Sequence, residues 1–273
     1  MGVEVKIVPD NATLNRVAAQ EFQRLAESAI KERGWFSVAL SGGNTPRSVY
    51  SLLAEQYKTL PWDRIHIFFG DERHVPPEHP DSNFRMASES LLSRVPIPEQ
   101  NVHRIHAELE AAVAAQEYEQ QVREFFHLMN SDWPRFDLVF LGLGDDGHTA
   151  SLFPGSAALR ETSRRVAANW VEKFQCFRLT FTFPVLNHAA EVVFLVSGAT
   201  KAQILNDVLK PAPKKYPAQS VQPENGRLLW LADQDAASLL QFTTPSVSQK
   251  VCSLSLLLFA LLSRLYCRTI SSE

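Results

Sequence analysis

Phe136-Asp137-Leu138-Val139-Phe140-Leu141-Gly142-Leu143-Gly144-Asp145-Asp146-Gly147-His148-Thr149-Ala150-Ser151-Leu152-Phe153-Pro154-Gly155 is the stretch around which the chain is organised. It begins as an apolar run rich in Val, Leu and Phe, long enough for a buried strand. It ends in glycines, two carboxylates and a histidine. A strand that runs into such a loop delivers polar groups to the carboxyl edge of a sheet, where open α/β folds bind their ligands. An imidazole titrates near neutral pH, so His148 can take a proton from water. Asp146, two residues away, is placed to orient that ring or to stabilise its charged form. The glycines let the backbone turn sharply and approach a ligand. A tight turn with a surface histidine is the competing reading, and the full constellation after a buried strand argues against it.

Gly142-x-Gly144-x-x-Gly147 also matches the dinucleotide fingerprint. Three features oppose a nicotinamide site. Asp145 and Asp146 occupy positions where a pyrophosphate needs open backbone N–H groups. Pro154 and Gly155 cut short the helix that should follow. No acidic strand end lies about 20 residues further on to hold a ribose.

A chain of 273 residues suits one large domain or two small ones. Its 45% hydrophobic and 21% charged residues are ordinary for a globular protein that is not a membrane span. The net charge of −3 leaves no electrostatic footprint for nucleic acid. Cys176, Cys252 and Cys267 lack zinc-finger or CxxC spacing, and their odd number argues against a disulfide framework. Met1 to Asp10 reads as a strand rather than a signal or transit peptide, so the expected location is the cytosol.

In chain order, a strand at Val3 to Val8 precedes a helix that runs to about Arg33, with Leu14, Val17, Ala18, Phe22, Leu25 and Ala29 at helical spacing and Gly34 as its stop. A strand at Trp35 to Leu40 runs into Ser41-Gly42-Gly43-Asn44-Thr45-Pro46 and another helix. Free N–H groups and the positive helix end make that junction an anion site, to which Ser41 and Thr45 add hydroxyls. Without a P-loop lysine it suits a single phosphate better than a nucleoside triphosphate. The strand Ile65 to Phe69 ends in Gly70-Asp71-Glu72-Arg73, three charges that need solvent or a ligand. Arg73 suits a phosphate or carboxylate. Asp81-Ser82-Asn83 reads as a helix cap. His74, His79 and Asp71 match no metal-ligand spacing.

Val102 to Ile105 reads as a short strand. Glu108 to Met129 reads as a long helix with Val113, Tyr118, Val122, Phe125 and Phe126 in the core. Strands follow at Arg178 to Phe183, Glu191 to Val196 and Arg227 to Ala232, with a turn of helix at Pro184 to Ala190, a helix through Ala202 to Leu209 and a closing helix at Ala236 to Leu240. Lys201, at a helix start after Ser197-Gly198-Ala199-Thr200, is a second anion contact. Pro211 to Pro217 is a Pro- and Lys-rich loop. Alternating strands and helices predict an α/β fold with a mainly parallel sheet flanked by helices. The domain is expected to cover residues 1–240. An atypical tail, 241–273, holds an apolar run, Val251 to Leu262, too short to span a bilayer.

These blocks, in this order, resemble the 6-phosphogluconolactonases, over roughly Val3 to Leu240. The block Asp146 to Gly155 is the most specific; the Ser41 to Pro46 loop, Phe68 to Arg73, Asp81 to Asn83, Arg178-Leu179-Thr180, and Gly198 with Lys201 add to it. The fold implied is Rossmann-like, of the sugar-phosphate isomerase and deaminase type. The glucosamine-6-phosphate deaminases are similar, but they have Asn where Asp146 stands, Glu where Phe153 stands and Tyr where Arg73 stands. Phe153 cannot replace a carboxylate that moves protons during ring opening.

The resemblance implies hydrolysis of 6-phospho-D-glucono-1,5-lactone to 6-phosphogluconate, a step of the oxidative pentose phosphate pathway, with this small molecule as the partner and no metal or nucleotide cofactor. A δ-lactone is an activated ester, so an oriented water and a base suffice; no GxSxG elbow is present. His148 is then the base and Asp146 its holder. Arg73 faces the lactone oxygen or the phosphate, and Asp71 positions Arg73 or a sugar hydroxyl. The phosphate falls to Ser41, Gly42, Gly43, Thr45, Arg178 and Lys201. A non-catalytic sugar-phosphate sensor is the reading from a different class; it predicts loss of the water-activating groups, which this chain keeps.

Overall fold

The computed structural model describes residues 3–129, 131–210 and 215–240. In chain order the elements are β1 (Val3–Val8), α1 (Asn11–Arg33), β2 (Phe36–Leu40), α2 (Asn44–Gln56), β3 (Ile65–Phe69), β4 (Asp71–Arg73), α3 (Asn83–Ser90), α4 (Ala111–Phe125), β5 (Leu138–Leu141), β6 (Val166–Val171), β7 (Cys176–Phe181), α5 (Phe183–His188), β8 (Glu191–Val196), α6 (Ala202–Leu209) and β9 (Arg227–Asp233). Six of the strands form a sheet in the order β1-β9-β8-β5-β2-β3, with every neighbouring pair parallel. The mainly parallel α/β fold is the one expected.

The apolar runs explain the central strands. Every residue of β2, β5 and β8 is buried, as a parallel strand covered on both faces requires. Large side chains such as Phe22, Phe36, Phe140 and Phe194 fill the layers between sheet and helices, each contributing roughly 1.5–3 kcal/mol. Local signals set the helix ends. The Asp10 carboxylate accepts from the Thr13 amide at 2.7 Å to start α1, and Gly34 stops it at φ 89°. Two buried tyrosines hold the strand ends. The Tyr50 hydroxyl accepts from the Ser41 N–H and donates to the Ser41 carbonyl, both at 2.9 Å. Tyr118 does the same at Phe69, at 2.8 and 3.1 Å.

The strand order places the ligand crevice. From β2 the sheet grows outward to β3; from β5 it grows the other way, to β8 and β9. The order reverses between β2 and β5, and open α/β sheets bind ligands at the carboxyl ends of such a pair. The loops leaving there are the Ser41 loop and the His148 loop.

A second sheet was not expected. β4, β7 and β6 pair antiparallel in the order β4-β7-β6. The residues 71–73 read as a loop are therefore a short strand, and the strand read at Arg178 to Phe183 begins at Cys176 and ends at Phe181. Three other readings change. Val102 makes only an isolated bridge to Ile67 rather than a strand. Residues 236–240 form turns instead of a closing helix. The long helix is shortened to Ala111–Phe125, because Glu110 caps it by accepting from Ala112 and Val113, and Val113 faces solvent with 52% exposure. The tail from residue 241, with Val251 to Leu262, Cys252 and Cys267, lies outside the described residues, as do residues 211–214 of the Pro- and Lys-rich loop. No helix among the described residues is long and apolar enough to cross a membrane.

The opposite, amino edge of the sheet is tied by charge. Glu191 and Arg227 start β8 and β9 and face each other in register, 2.7 Å apart from Oε1 to Nη1. Arg227 also meets Glu21 of α1 and, at 2.8 Å, Glu4 of β1; Arg24 reaches Glu191 at 3.2 Å. Glu191 is only 4% exposed, so it depends on these cations. Replacing Arg227 with Met should lower unfolding free energy by roughly 2–3 kcal/mol, measured by urea denaturation. Adding Glu191→Gln to that variant should recover part of the loss, because the uncompensated charge is then gone.

Candidate active site

A cavity of about 450 Å³ opens at the carboxyl edge, walled by the loops that follow β2, β5 and β8 and by β4. It brings together Ser41, Gly42, Gly43, Thr45, Asp71, Arg73, His148 and Lys201. Two residues expected at the site, Asp146 and Arg178, stand outside its lining. Asp146 reaches it through His148, and Arg178 is paired in register with Arg73.

The first wall is the start of α2 and the loop before it. Gly43, at φ 110°, is the N-cap of α2 and supplies no side-chain cap, so the N–H groups of the first turn have no side chain to satisfy them. The Ser41 Oγ is buried without a hydrogen-bond partner. Gly42 is required by its neighbour: a Cβ there would lie 1.9 Å from Asn83 Oδ1. Asn83 in turn donates to the Asp71 carbonyl at 2.9 Å. The Asp81 to Asn83 block thus does more than begin a helix; it docks the glycine loop against β4.

The three charges after β3 have separate fates. Glu72, 2% exposed, accepts from Ser82 Oγ and from the N–H groups of Arg73, Asn83 and Phe84, at 2.7–3.1 Å. It anchors the start of α3 and has no part in the cavity. Burial raises its carboxyl, against the pull of those N–H groups. Asp71 accepts from Ser151 Oγ at 2.7 Å and from Asn83 at 3.4 Å; its carboxylate makes no hydrogen bond to Arg73. The alternative of Asp71 positioning Arg73 therefore finds no support, while its place in the cavity wall suits a hydroxyl. Arg73 donates to the Asp81 carbonyl at 2.5 Å. Directly opposite it stands Arg178, whose guanidinium lies 5.3 Å over the Phe174 ring. Burial, with the Arg73 charge adding to it, pushes the Arg178 guanidinium down. Like charges opposed across a strand pair are unfavourable unless an anion joins them.

The histidine loop is a compact turn. Gly144 N–H donates to the His148 carbonyl and Gly147 N–H to the Gly144 carbonyl, both at 2.9 Å. His148 Nδ1 lies 2.5 Å from Asp146 Oδ1. An ionised carboxylate only accepts, so the proton sits on Nδ1 and the Nε2 lone pair is left for the cavity. Burial would raise the Asp146 carboxyl, but the bond and charge of His148, with Lys173, hold it at about 2. Phe153 stacks on the imidazole, 4.0 Å between centroids at 25°.

The β6–β7 connection completes the site, and sequence reading missed it. Lys173 donates to Asp146 Oδ2 at 3.1 Å, and Phe174 packs edge-on against Phe153 at 5.6 Å. Lys173 lies 27 positions beyond Asp146, and neither it nor Phe174 belongs to a motif; only the unrecognised strand β6 would have pointed to a hairpin there. Lys201 lines the cavity and meets Asp145 at 2.5 Å.

Residues 9–230 match the family model for glucosamine-6-phosphate isomerases and 6-phosphogluconolactonase. The chain is 48% identical to the 6-phosphogluconolactonase of a Synechocystis strain, over 78% of this chain and 88% of that one. It is 42% identical to the 6-phosphogluconolactonase of a Nostoc strain, over 86% and 98%. The solved structure of 6-phosphogluconolactonase from Trypanosoma brucei superposes with a TM-score of 0.80 at 28% identity, covering 88% of this chain and 99% of that chain.

Gly144 gives a direct test of the loop geometry. A Cβ at this position would lie 2.0 Å from His148 Nδ1, so alanine must displace the ring from Asp146. Gly144→Ala should reduce kcat at least 100-fold, of the order that a positioned base contributes, with an unchanged circular dichroism spectrum.

Proposed function

The chain belongs to the family of glucosamine-6-phosphate isomerases and 6-phosphogluconolactonases, and from that premise we propose how its site works. It hydrolyses 6-phospho-D-glucono-1,5-lactone to 6-phosphogluconate, with His148 as general base. The observation that carries this reading is the pairing of His148 Nδ1 with Asp146, which leaves Nε2 as a base on the cavity wall.

A water oxygen attacks the lactone carbonyl carbon while its proton passes to Nε2. The tetrahedral intermediate collapses, the bond from that carbon to the ring oxygen breaks, and the imidazolium returns the proton to the departing oxygen. The products are a sugar hydroxyl and a carboxylic acid, which keeps the second proton of the water and releases it to solvent as it ionises to the carboxylate. Asp146 keeps the ring in the required tautomer and balances the imidazolium. Arg73 faces the developing negative charge, and Asp71 takes a sugar hydroxyl. A positioned base and such a clamp contribute about 10²–10⁴-fold each. Ser151 Oγ is bound to Asp71 and Thr149 Oγ to the Gly142 carbonyl, so neither is aligned with His148 as a nucleophile.

The phosphate rests at the N-terminus of α2, on Gly42, Gly43, Ser41 and Thr45, with Lys201 from the other wall. Arg178 lies off the cavity and acts through its strand partner Arg73. The remote dianion supplies binding energy that orients the lactone end. The deaminase alternative needs a proton carrier at position 153, and Phe153 has none; its ring instead supports the imidazole.

Purified protein given freshly made 6-phosphogluconolactone should form 6-phosphogluconate well above the spontaneous rate, followed with a coupled dehydrogenase. Glucosamine 6-phosphate should release no ammonia. Ammonia release without faster lactone hydrolysis would overturn the reading. Asp146→Asn should lower kcat by about 10²–10⁴-fold with little change in KM, because the amide no longer enforces the Nδ1–H tautomer. Lys201→Ala should chiefly raise KM.

A further inference from the structure

Lys201 does not face the cavity as an uncommitted cation. Its Nζ is held 2.5 Å from Asp145 Oδ1. Asp145 is 79% exposed at its side chain and lies outside the cavity lining, whereas Lys201 is 27% exposed and within it. Two arginines near the cavity differ from it. Arg73 is bonded to a backbone carbonyl and Arg178 is stacked on a phenyl ring; no salt bridge joins either to a carboxylate among the described residues. Of the cations that line the cavity, Arg73 and Lys201, the lysine is thus the one that a carboxylate of the described residues balances; Lys173, paired with Asp146, stands outside the lining. The balancing residue rides the same turn as His148, between Gly144 and Gly147.

We infer that Asp145 is a specificity-determining residue, an internal competitor that occupies Lys201 until a phosphate dianion displaces it. The inference rests on the phosphate reading of Lys201 given above. An ion pair this exposed is weak, because water screens it and two flexible side chains must be fixed. A dianion arriving beside the α2 N-terminus carries twice the charge and gains the loop N–H groups as well, so it wins Lys201. An uncharged lactone offers nothing in exchange and leaves the pair closed. Asp145 therefore weakens binding of every ligand that uses Lys201 and is indifferent to ligands that do not. The exchange also runs backwards. Asp145 retakes Lys201 as the phosphorylated product departs, which keeps product affinity low. Position 145 does this without touching substrate, so it is a positioning residue for Lys201 and not a catalytic one.

The test is a double-mutant cycle on the full chain, read by calorimetric titration with inorganic phosphate at constant ionic strength and by KM for 6-phosphogluconolactone. Asp145→Asn should tighten phosphate binding and lower KM by about two- to five-fold, the range that an exposed ion pair gives. KM for unphosphorylated D-glucono-1,5-lactone should not move. In a Lys201→Ala background the Asp145→Asn effect should vanish. An equal gain in the Lys201→Ala background would overturn the inference, since the carboxylate would then act as diffuse charge rather than through the lysine. No gain in either background would also overturn it. If Lys201→Ala itself leaves phosphate affinity unchanged, the phosphate reading of Lys201 is what fails, and the inference falls with it. Asp145 is exposed and bonded only to Lys201 by its side chain among the described residues, so its amide variant keeps the shape of the turn; Asp145→Ser serves as a second variant with the same expected gain.

Discussion

Two adjacent parallel strands whose crossovers depart in opposite directions govern this molecule. β2 leads outward to β3, and β5 leads the other way to β8 and β9. The chain turns away on both sides, so the loops at the ends of β2 and β5 must border a crevice. One loop ends at a helix N-terminus and the other at a histidine. The distance between the proposed anion site and the proposed base is thereby fixed by strand pairing, not by the loops themselves. Tyr50 and Tyr118 make the strand ends rigid by bonding both backbone groups of Ser41 and Phe69. Preorganisation of this kind lets binding energy at a phosphate act on chemistry at the far end of the ligand.

Electrostatics at the site follow a consistent division. Acidic groups that serve structure are buried and saturated: Glu72 accepts four hydrogen bonds at the start of α3, and Glu191 is enclosed by two arginines. At the site, the carboxylates of Asp71 and Asp146 are each engaged through both oxygens by neighbouring side chains, and they meet the cavity or the imidazole. Asp71 binds Ser151, and Asp146 is shared between His148 and Lys173. On the cationic side, Arg73 and Arg178 are placed opposite one another in register, like charges that disfavour each other. Lys173 gives the His–Asp pair a counterion on the side away from the imidazole. The same hairpin carries Phe174, which contacts both Phe153 under the ring and Arg178, so one turn braces base and cation together.

Five of the six parallel strands were legible as short, mainly apolar runs and β1 as an alternation of apolar and charged residues; Val3–Val8, Ile65–Phe69 and Glu191–Val196 were read to the residue. The glycine loop and the His148 loop were legible because glycines, hydroxyls and a histidine have few reasons to follow a buried strand. The antiparallel sheet was not. β6, Val-Ala-Ala-Asn-Trp-Val, has small and polar residues and no strict alternation, because it is half-buried on a flank. β4 has three charged residues, which no strand propensity predicts; it is held by its register with β7 and by Asn83. Partners far apart in sequence were equally hidden. Nothing local says that Gly42 must clear Asn83 or that Lys173 reaches Asp146. Those constraints exist only once the topology has brought the loops to one edge.

The central claim is that a single ligand spans from the α2 N-terminus to His148, with its phosphate at one end and its reacting carbon at the other. A crystal structure of the protein with bound 6-phosphogluconate tests this most directly. We expect the phosphate on the Gly42-Gly43 loop with Lys201, and a carboxylate oxygen about 3 Å from His148 Nε2, within reach for proton transfer. A ligand bound in the reverse sense, or one whose carboxylate lies away from His148 while its phosphate sits elsewhere, would contradict the account.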